Sequence, residues 1–160
     1  MSISAGDKIP SAPLTVMGDN GPRPVDSKEL LGDGLVVLFA VPGAFTPTCS
    51  AQHLPGFVEN AEALANKGVD RIVCMAVNDI FVMQAWGQAG GVGDQITMAA
   101  DGNGAFTQAL GLEMDATAFG MGQRCQRFAM IVRDGIVEKV LVEGPGEFRV
   151  SSAEYLLDQL

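Results

Sequence analysis

Several residue types are scarce in this 160-residue chain: it holds one histidine, one tryptophan, one tyrosine and three cysteines, and 10 Lys and Arg stand against 19 Asp and Glu, a formal charge of −9. Each scarcity excludes something. With a single histidine and no C-x-x-C pair, neither a zinc site nor a dithiol oxidoreductase is supported. Three cysteines are too few for a disulfide scaffold, and their odd number leaves at least one free thiol, which suits a reducing compartment. The acidic excess repels phosphate backbones and anionic lipid, so nucleic acid and membranes are not expected partners. No segment approaches the apolar length of a bilayer span, and Met1 to Lys8 lacks a basic start followed by an apolar run, so a soluble, cytoplasmic protein is expected. Gly90-Gly-Val-Gly93 and Gly102-Asn-Gly104 do not fit the phosphate-cradling glycine motifs, and neither cofactor nor metal is expected.

What is present is a chain 48% hydrophobic, long enough to bury one sizeable core, and residues 1–160 read as one domain. Residues 1–34 are turn-rich, with a break at Gly18-Asp-Asn-Gly-Pro22, and read as an irregular or hairpin lead-in. Leu35 to Val41 is seven apolar residues without alternation, as in a strand covered on both faces. Residues 49–67 place Phe57, Ala61, Leu64 and Ala65 on one helical face, with a kink expected at Pro55-Gly56. Arg71 to Val77 is a second two-sided strand, so strand, helix and strand form a right-handed parallel crossover. A helix at 79–88, a strand at 96–99 and a helix near 104–110 follow. Arg127–Arg133, Asp134-Gly135 and Ile136–Val142 form a hairpin signal. Ser151-x-x-Glu154 reads as a capping box opening a last helix. A βαβ unit followed by ββα is the thioredoxin-like α/β arrangement: a central mixed sheet flanked by helices, here with an N-terminal hairpin-like extension.

Cys49 falls in the first turn of a helix that starts just past the carboxyl end of a buried strand. Unpaired N–H groups and the positive end of the helix dipole favour negative charge on sulfur there, and the crevice at strand carboxyl ends is where ligands bind in open α/β sheets. Thr46 offers a hydroxyl three residues earlier, and Pro42 and Pro47 stiffen the loop. Arg124, Arg127 and Arg133 are three of six arginines within ten positions. Arg133, and with it Arg124, is expected to pair with surface acids.

Pro42-Gly-Ala-Phe-Thr-Pro-Thr-Cys49-Ser matches the P-x-x-x-T-x-x-C signature of peroxiredoxins, and with Gln52-His-Leu-Pro-Gly-Phe57 it resembles the peroxiredoxin-5 or plant type II branch. The likeness continues through Lys67-Gly-Val69, Ala76-Val-Asn-Asp79, Ala100-Asp101 and Gln126-Arg-Phe-Ala-Met130. The resemblance implies a thiol-dependent peroxidase reducing hydrogen peroxide and small alkyl hydroperoxides. Cys49 is then the peroxidatic cysteine that becomes a sulfenic acid, Thr46 and Arg127 its polar partners, and Pro42 its shield. The N–H groups of Thr48 and Cys49 would complete the peroxide site, with His53 as a secondary contact at the pocket edge. Glutathione with glutaredoxin, or thioredoxin, would restore the thiol. Relatives commonly dimerise through the loops around the site, where Phe45 would be a contact.

Cys74, inside the second buried strand, reads first as a small core residue. Type II relatives give it a second reading, as a cysteine that resolves oxidised Cys49 by forming a disulfide, which needs Cα atoms within about 7 Å. Cys125 is expected to be incidental, although a thiol among arginines invites reactivity. Trp86 and the methionines Met75, Met83 and Met130 fit core packing. Two rivals remain: a thioredoxin-like redox sensor that passes oxidation to another protein, and a Cys49–His53 hydrolase.

Overall fold

The computed structural model describes residues 2–160. Its elements run β1 (Pro13–Gly18), β2 (Gly21–Asp26), α1 (Ser27–Leu31), β3 (Leu35–Val41), a π-helical turn Cys49–His53, α2 (Leu54–Asn66), β4 (Arg71–Ala76), α3 (Ile80–Ala89) and β5 (Thr97–Ala100). There follow α4 (Ala105–Leu110), β6 (Glu113–Asp115), a 3-10 turn Thr117–Phe119, β7 (Gln123–Cys125), β8 (Phe128–Arg133), β9 (Ile136–Val142) and α5 (Ala153–Gln159).

Seven strands form one mixed sheet in the order β2-β1-β5-β4-β3-β8-β9. β3 runs parallel to β4, and β4 to β5, while β1, β8 and β9 pair antiparallel. All seven residues of β3 are buried, as its unbroken apolar run requires, and the pleat divides them between two cores. Leu35, Val37, Phe39 and Val41 pack with Phe57 and Leu64 of α2, Met83 and Trp86 of α3 and Leu156 of α5. Val36, Leu38 and Ala40 pack with Leu31, Phe106 and Leu110 on the other face. The thioredoxin-like expectation holds, and the lead-in is a true hairpin that extends the sheet, β1 meeting β5.

Two local expectations are corrected, and one strand pair is added to them. The break in the helical residues from 49 onward falls before Pro55-Gly56. Pro55 lies in the first turn of α2, and the irregularity precedes it as a π turn closed by the Leu54 N–H on the Cys49 carbonyl. Pro55 has no N–H to continue an ordinary ladder, so the wider turn sits where the ladder is already broken. The cap of α5 is Ser152, whose hydroxyl accepts from Tyr155 N–H at 3.2 Å. Ser151 is unavailable for capping because its hydroxyl is buried against Glu143. Finally, the short pair β6–β7 was not expected. At the β8–β9 hairpin, Asp134 (φ 50°) and Gly135 (φ 82°) both take left-handed conformations, as a primed two-residue turn demands.

Candidate active site

The carboxyl end of β3 delivers the chain into the loop Pro42–Thr48, which turns back over the sheet before the π turn. Phe45 is held at φ 64°, a conformation uncommon for a non-glycine residue and met mostly where the surroundings over-determine it. One restraint is the Ala44 N–H, which donates to Asn78 Oδ1 at 2.9 Å. A second lies on the π turn, where the Trp86 indole N–H donates to Ser50 Oγ at 3.0 Å. Trp86 is thus buried packing, as expected, with its polar end tying α3 to the turn that carries Cys49.

The Cys49 side chain is buried and meets two donors. Thr46 Oγ1 lies 2.9 Å from Sγ and 2.7 Å from the Gly43 carbonyl. A hydroxyl has one proton, so it can serve the sulfur only by leaving Gly43, as it would when Cys49 is ionised. Arg127, just before β8, donates from Nη2 to Sγ at 3.0 Å. Its other prong, Nη1, reaches His53 Nδ1 at 2.8 Å.

His53 is not at the pocket edge. It is fully buried beneath Arg127, with Nε2 2.9 Å from the Ser151 carbonyl. A carbonyl only accepts, so Nε2 carries the hydrogen and Nδ1 presents a lone pair to the guanidinium. Both ring nitrogens are occupied and neither faces Cys49, so the imidazole is not placed as a base for a Cys–His hydrolase. Phe39, Phe57 and Phe148 surround the ring, with centroids 5.0, 5.7 and 5.0 Å away, and Arg127 Cζ lies 5.9 Å over Phe148. Burial foremost, and the Arg127 charge next, push the imidazole down from 6.5 to about 3. Between those values the unfolded chain binds a proton that the folded protein refuses. Stability is therefore full above about pH 6.5 and falls as pH drops toward 3, by about 1.4 kcal/mol per pH unit from this group. Denaturation series from pH 4 to 7 are expected to show that share of the slope vanish in His53→Gln; equal slopes in both proteins would contradict the placement.

Sequence reasoning missed the support behind His53. Burial raises the Glu143 carboxyl, but hydrogen bonds from the Ser151 hydroxyl and N–H and the Arg149 N–H outweigh it and hold it below its usual value. These bonds, all to Oε2 at 2.7 to 2.8 Å, fold the segment after β9 back so that the Ser151 carbonyl meets His53. The Glu143 N–H also donates to the Arg127 carbonyl at 3.0 Å. A lone Glu before Gly-Pro-Gly carries no sequence signal for this.

Pro42, Thr48 and Arg127 line one cavity of about 510 Å³ together with Met114, Phe119 and the turn Gly144–Glu147. Pro42 is half-buried and Pro47 exposed, so of the two only Pro42 covers the site. Arg133 pairs with Glu138 at 3.2 Å, as expected. Arg124 meets no acid, and its guanidinium donates to the Met121 and Val77 carbonyls. Cys74 is buried in β4 opposite Phe39, and burial, then Cys49, raise its thiol well above the ordinary range. Cys125 is buried at the end of β7, with Sγ 3.1 Å from the Val41 carbonyl. Burial, then Asp101, push it up to about 12. Both are poor nucleophiles. Among the described residues, no three His, Cys, Asp or Glu side chains gather as a metal-holding group, and no helix is long and apolar enough to cross a membrane.

One cysteine sulfur flanked by a guanidinium and a hydroxyl at the carboxyl edge of a thioredoxin-like sheet defines a nucleophilic thiol enzyme. A family model described as Redoxin matches residues 4–157. Peroxiredoxin-2B of Arabidopsis thaliana is 46% identical over 159 residues, 99% of this chain and 98% of the relative. Hybrid peroxiredoxin hyPrx5 of Haemophilus influenzae is 40% identical over 165 residues, 100% of this chain and 67% of the relative. The crystal structure of reduced Prx3 from Vibrio vulnificus in complex with H2O2 is similar at a TM-score of 0.94 and 49% identity, covering 98% of each chain. The chain belongs to the redoxin family and is a peroxiredoxin, a thiol-dependent peroxidase.

Proposed function

We propose that the protein reduces hydrogen peroxide and small alkyl hydroperoxides through Cys49, that glutathione with glutaredoxin or thioredoxin restores it, and that it serves peroxide defence and redox homeostasis in the cytoplasm as a homodimer. The observation that carries this reading is the pair of donors on one sulfur, Thr46 Oγ1 at 2.9 Å and Arg127 Nη2 at 3.0 Å. Ionised Cys49 attacks the distal peroxide oxygen. The S–O bond forms as the O–O bond breaks, and charge passes to the leaving oxygen, which takes up a proton and departs as water or alcohol. Fixed donors that span sulfur and both oxygens stabilise that migrating charge without reorganising. Cys49 is left as a sulfenic acid, which condenses with one thiol to give a mixed disulfide and water; a second thiol displaces Cys49.

An external reductant is favoured because Cys74 is held within the β3–β4 ladder and burial raises both its thiol and that of Cys125, and the relative crystallised with H2O2 favours hydrogen peroxide as a substrate. The homodimer draws support from Phe45, Phe81 and Phe119, which are 54%, 65% and 82% exposed. Phe45 follows β3, Phe81 opens α3 just after β4, and Phe119 ends the 3-10 turn between β6 and β7, each an exposed apolar side chain that a partner would cover. The test is turnover. With hydrogen peroxide and thiol reductant both in large excess over protein, at two thiols per peroxide, many peroxides are expected to be consumed per chain. Consumption that stops after about one per chain would make the protein a sensor rather than an enzyme.

A further inference from the structure

The pocket lined by Thr48 and Arg127, both neighbours of the buried Cys49, has one wall without charge and one with too much of it. Pro42, Met114, Phe119 and Pro145 form the apolar side; Glu113, Glu143 and Glu147 contribute three carboxylates against a single guanidinium, that of Arg127. That guanidinium is committed at both prongs, to Cys49 and His53. The other nearby cations do little to offset the carboxylates. Arg149 reaches Glu147 at 3.2 Å, but with side chains 79% and 43% exposed such a pair is strongly solvent-screened. Arg124 is turned to the Met121 and Val77 carbonyls. When Cys49 is ionised, its charge and that of Arg127 cancel, and an entering molecule meets an apolar wall and an uncompensated negative rim.

We propose that this rim makes the site selective by charge, admitting neutral hydroperoxides with an apolar substituent and discriminating against those that carry a carboxylate, with Glu113 and Glu147 as the specificity-determining residues. The proposal rests on the peroxidase reading and deepens it. Glu143 is set aside as a determinant because its carboxylate holds Ser151 and Arg149. Glu113 on β6 and Glu147 in the turn after β9 are exposed, so their field acts across water-filled pocket space and is sensitive to salt. At separations of several ångströms and an effective dielectric between bulk water and the protein surface, each carboxylate would disfavour an anionic substrate by a few-fold, and the two together by about tenfold. The discriminated step is the attack already described, so no reactant is added.

The experiment is a competition between equal concentrations of cumene hydroperoxide and its para-carboxylate analogue, with dithiothreitol as the reductant, read as the ratio of the two product alcohols. In the wild-type protein the neutral alcohol is expected in about tenfold excess at ionic strength of about 10 mM, and in only about twofold excess near 0.5 M, where the Debye length is a few ångströms. Glu113→Gln with Glu147→Gln is expected to show the high-salt ratio already at low salt. Because each protein is read as a ratio, a general loss of rate does not enter, and the salt series on the wild type decides the matter even if the double variant does not fold. A ratio near one at low salt, or an excess that salt does not reduce, would overturn the proposal. If the wild type forms neither alcohol yet consumes hydrogen peroxide, the proposal fails and the peroxidase reading stands; if it consumes neither, it is the peroxidase reading that fails.

Discussion

Cys49→Ser is expected to abolish hydroperoxide reduction, leaving consumption at the rate of a protein-free control. Serine keeps the size of the side chain and offers Thr46 and Arg127 an oxygen in place of sulfur, so the fold is expected to survive, and near-native circular dichroism and thermal midpoint are the check. The chemistry has nowhere else to go. The thiolate is the nucleophile in such reactions, and only Cys49, of the three cysteines, meets the Thr46 hydroxyl and the Arg127 guanidinium. Cys125, pushed up to about 12, would be ionised in about one molecule in 10⁵ at pH 7, and Cys74 is likewise raised by its burial. Peroxidase activity above background in Cys49→Ser would mean that the nucleophile has been misassigned.

Arg127→Gln is expected to lower the second-order rate constant for peroxide by about 10²- to 10³-fold, the usual cost of losing one fixed donor aimed at developing charge. Gln removes the fixed guanidinium donor on sulfur, taking charge and fork away together. Arg127→Lys separates those two. A lysine restores the charge, but a single ammonium group does not reproduce a planar fork that serves His53 and Cys49 from separate nitrogens 2.8 and 3.0 Å away. It is therefore expected to recover only a small part of the rate. Stopped-flow oxidation of the reduced protein measures all three forms. Full recovery with lysine would show that charge alone matters and that the His53 contact is incidental to catalysis.

Much of this molecule can be read from its residues, and the parts that cannot have a common physical cause. Leu35 to Val41 and Arg71 to Ala76 announce buried strands because their apolar runs are unbroken, and Asp134-Gly135 announces its hairpin because few residues accept two left-handed conformations. β6 and β7 are three residues each, too short for any periodicity to register. The π turn is invisible because its effect is on angular spacing, by which Cys49 and His53 both end up buried. Cys49 and Thr46 are legible because they are three residues apart. The contacts of His53 span 74 residues to Arg127 and 98 to Ser151, so along the chain a histidine four places after the cysteine reads as a neighbour of the pocket, whereas in the fold it is the support beneath the arginine. Glu143 belongs to the same class, since its partners come from a loop whose return path is fixed only in three dimensions. Cys125 also misleads when read along the chain, where it sits among arginines; in the fold it faces the Val41 carbonyl.

The most direct test of the central claim is the intact mass of the reduced protein after one equivalent of hydrogen peroxide in the absence of any thiol, measured beside Cys49→Ser and Cys74→Ser. A gain of about 16 Da in the wild type and in Cys74→Ser, absent from Cys49→Ser, is the expected result, and is the signature of a sulfenic acid at Cys49 awaiting an external thiol. An unmodified wild type, or the same gain in Cys49→Ser, would contradict it.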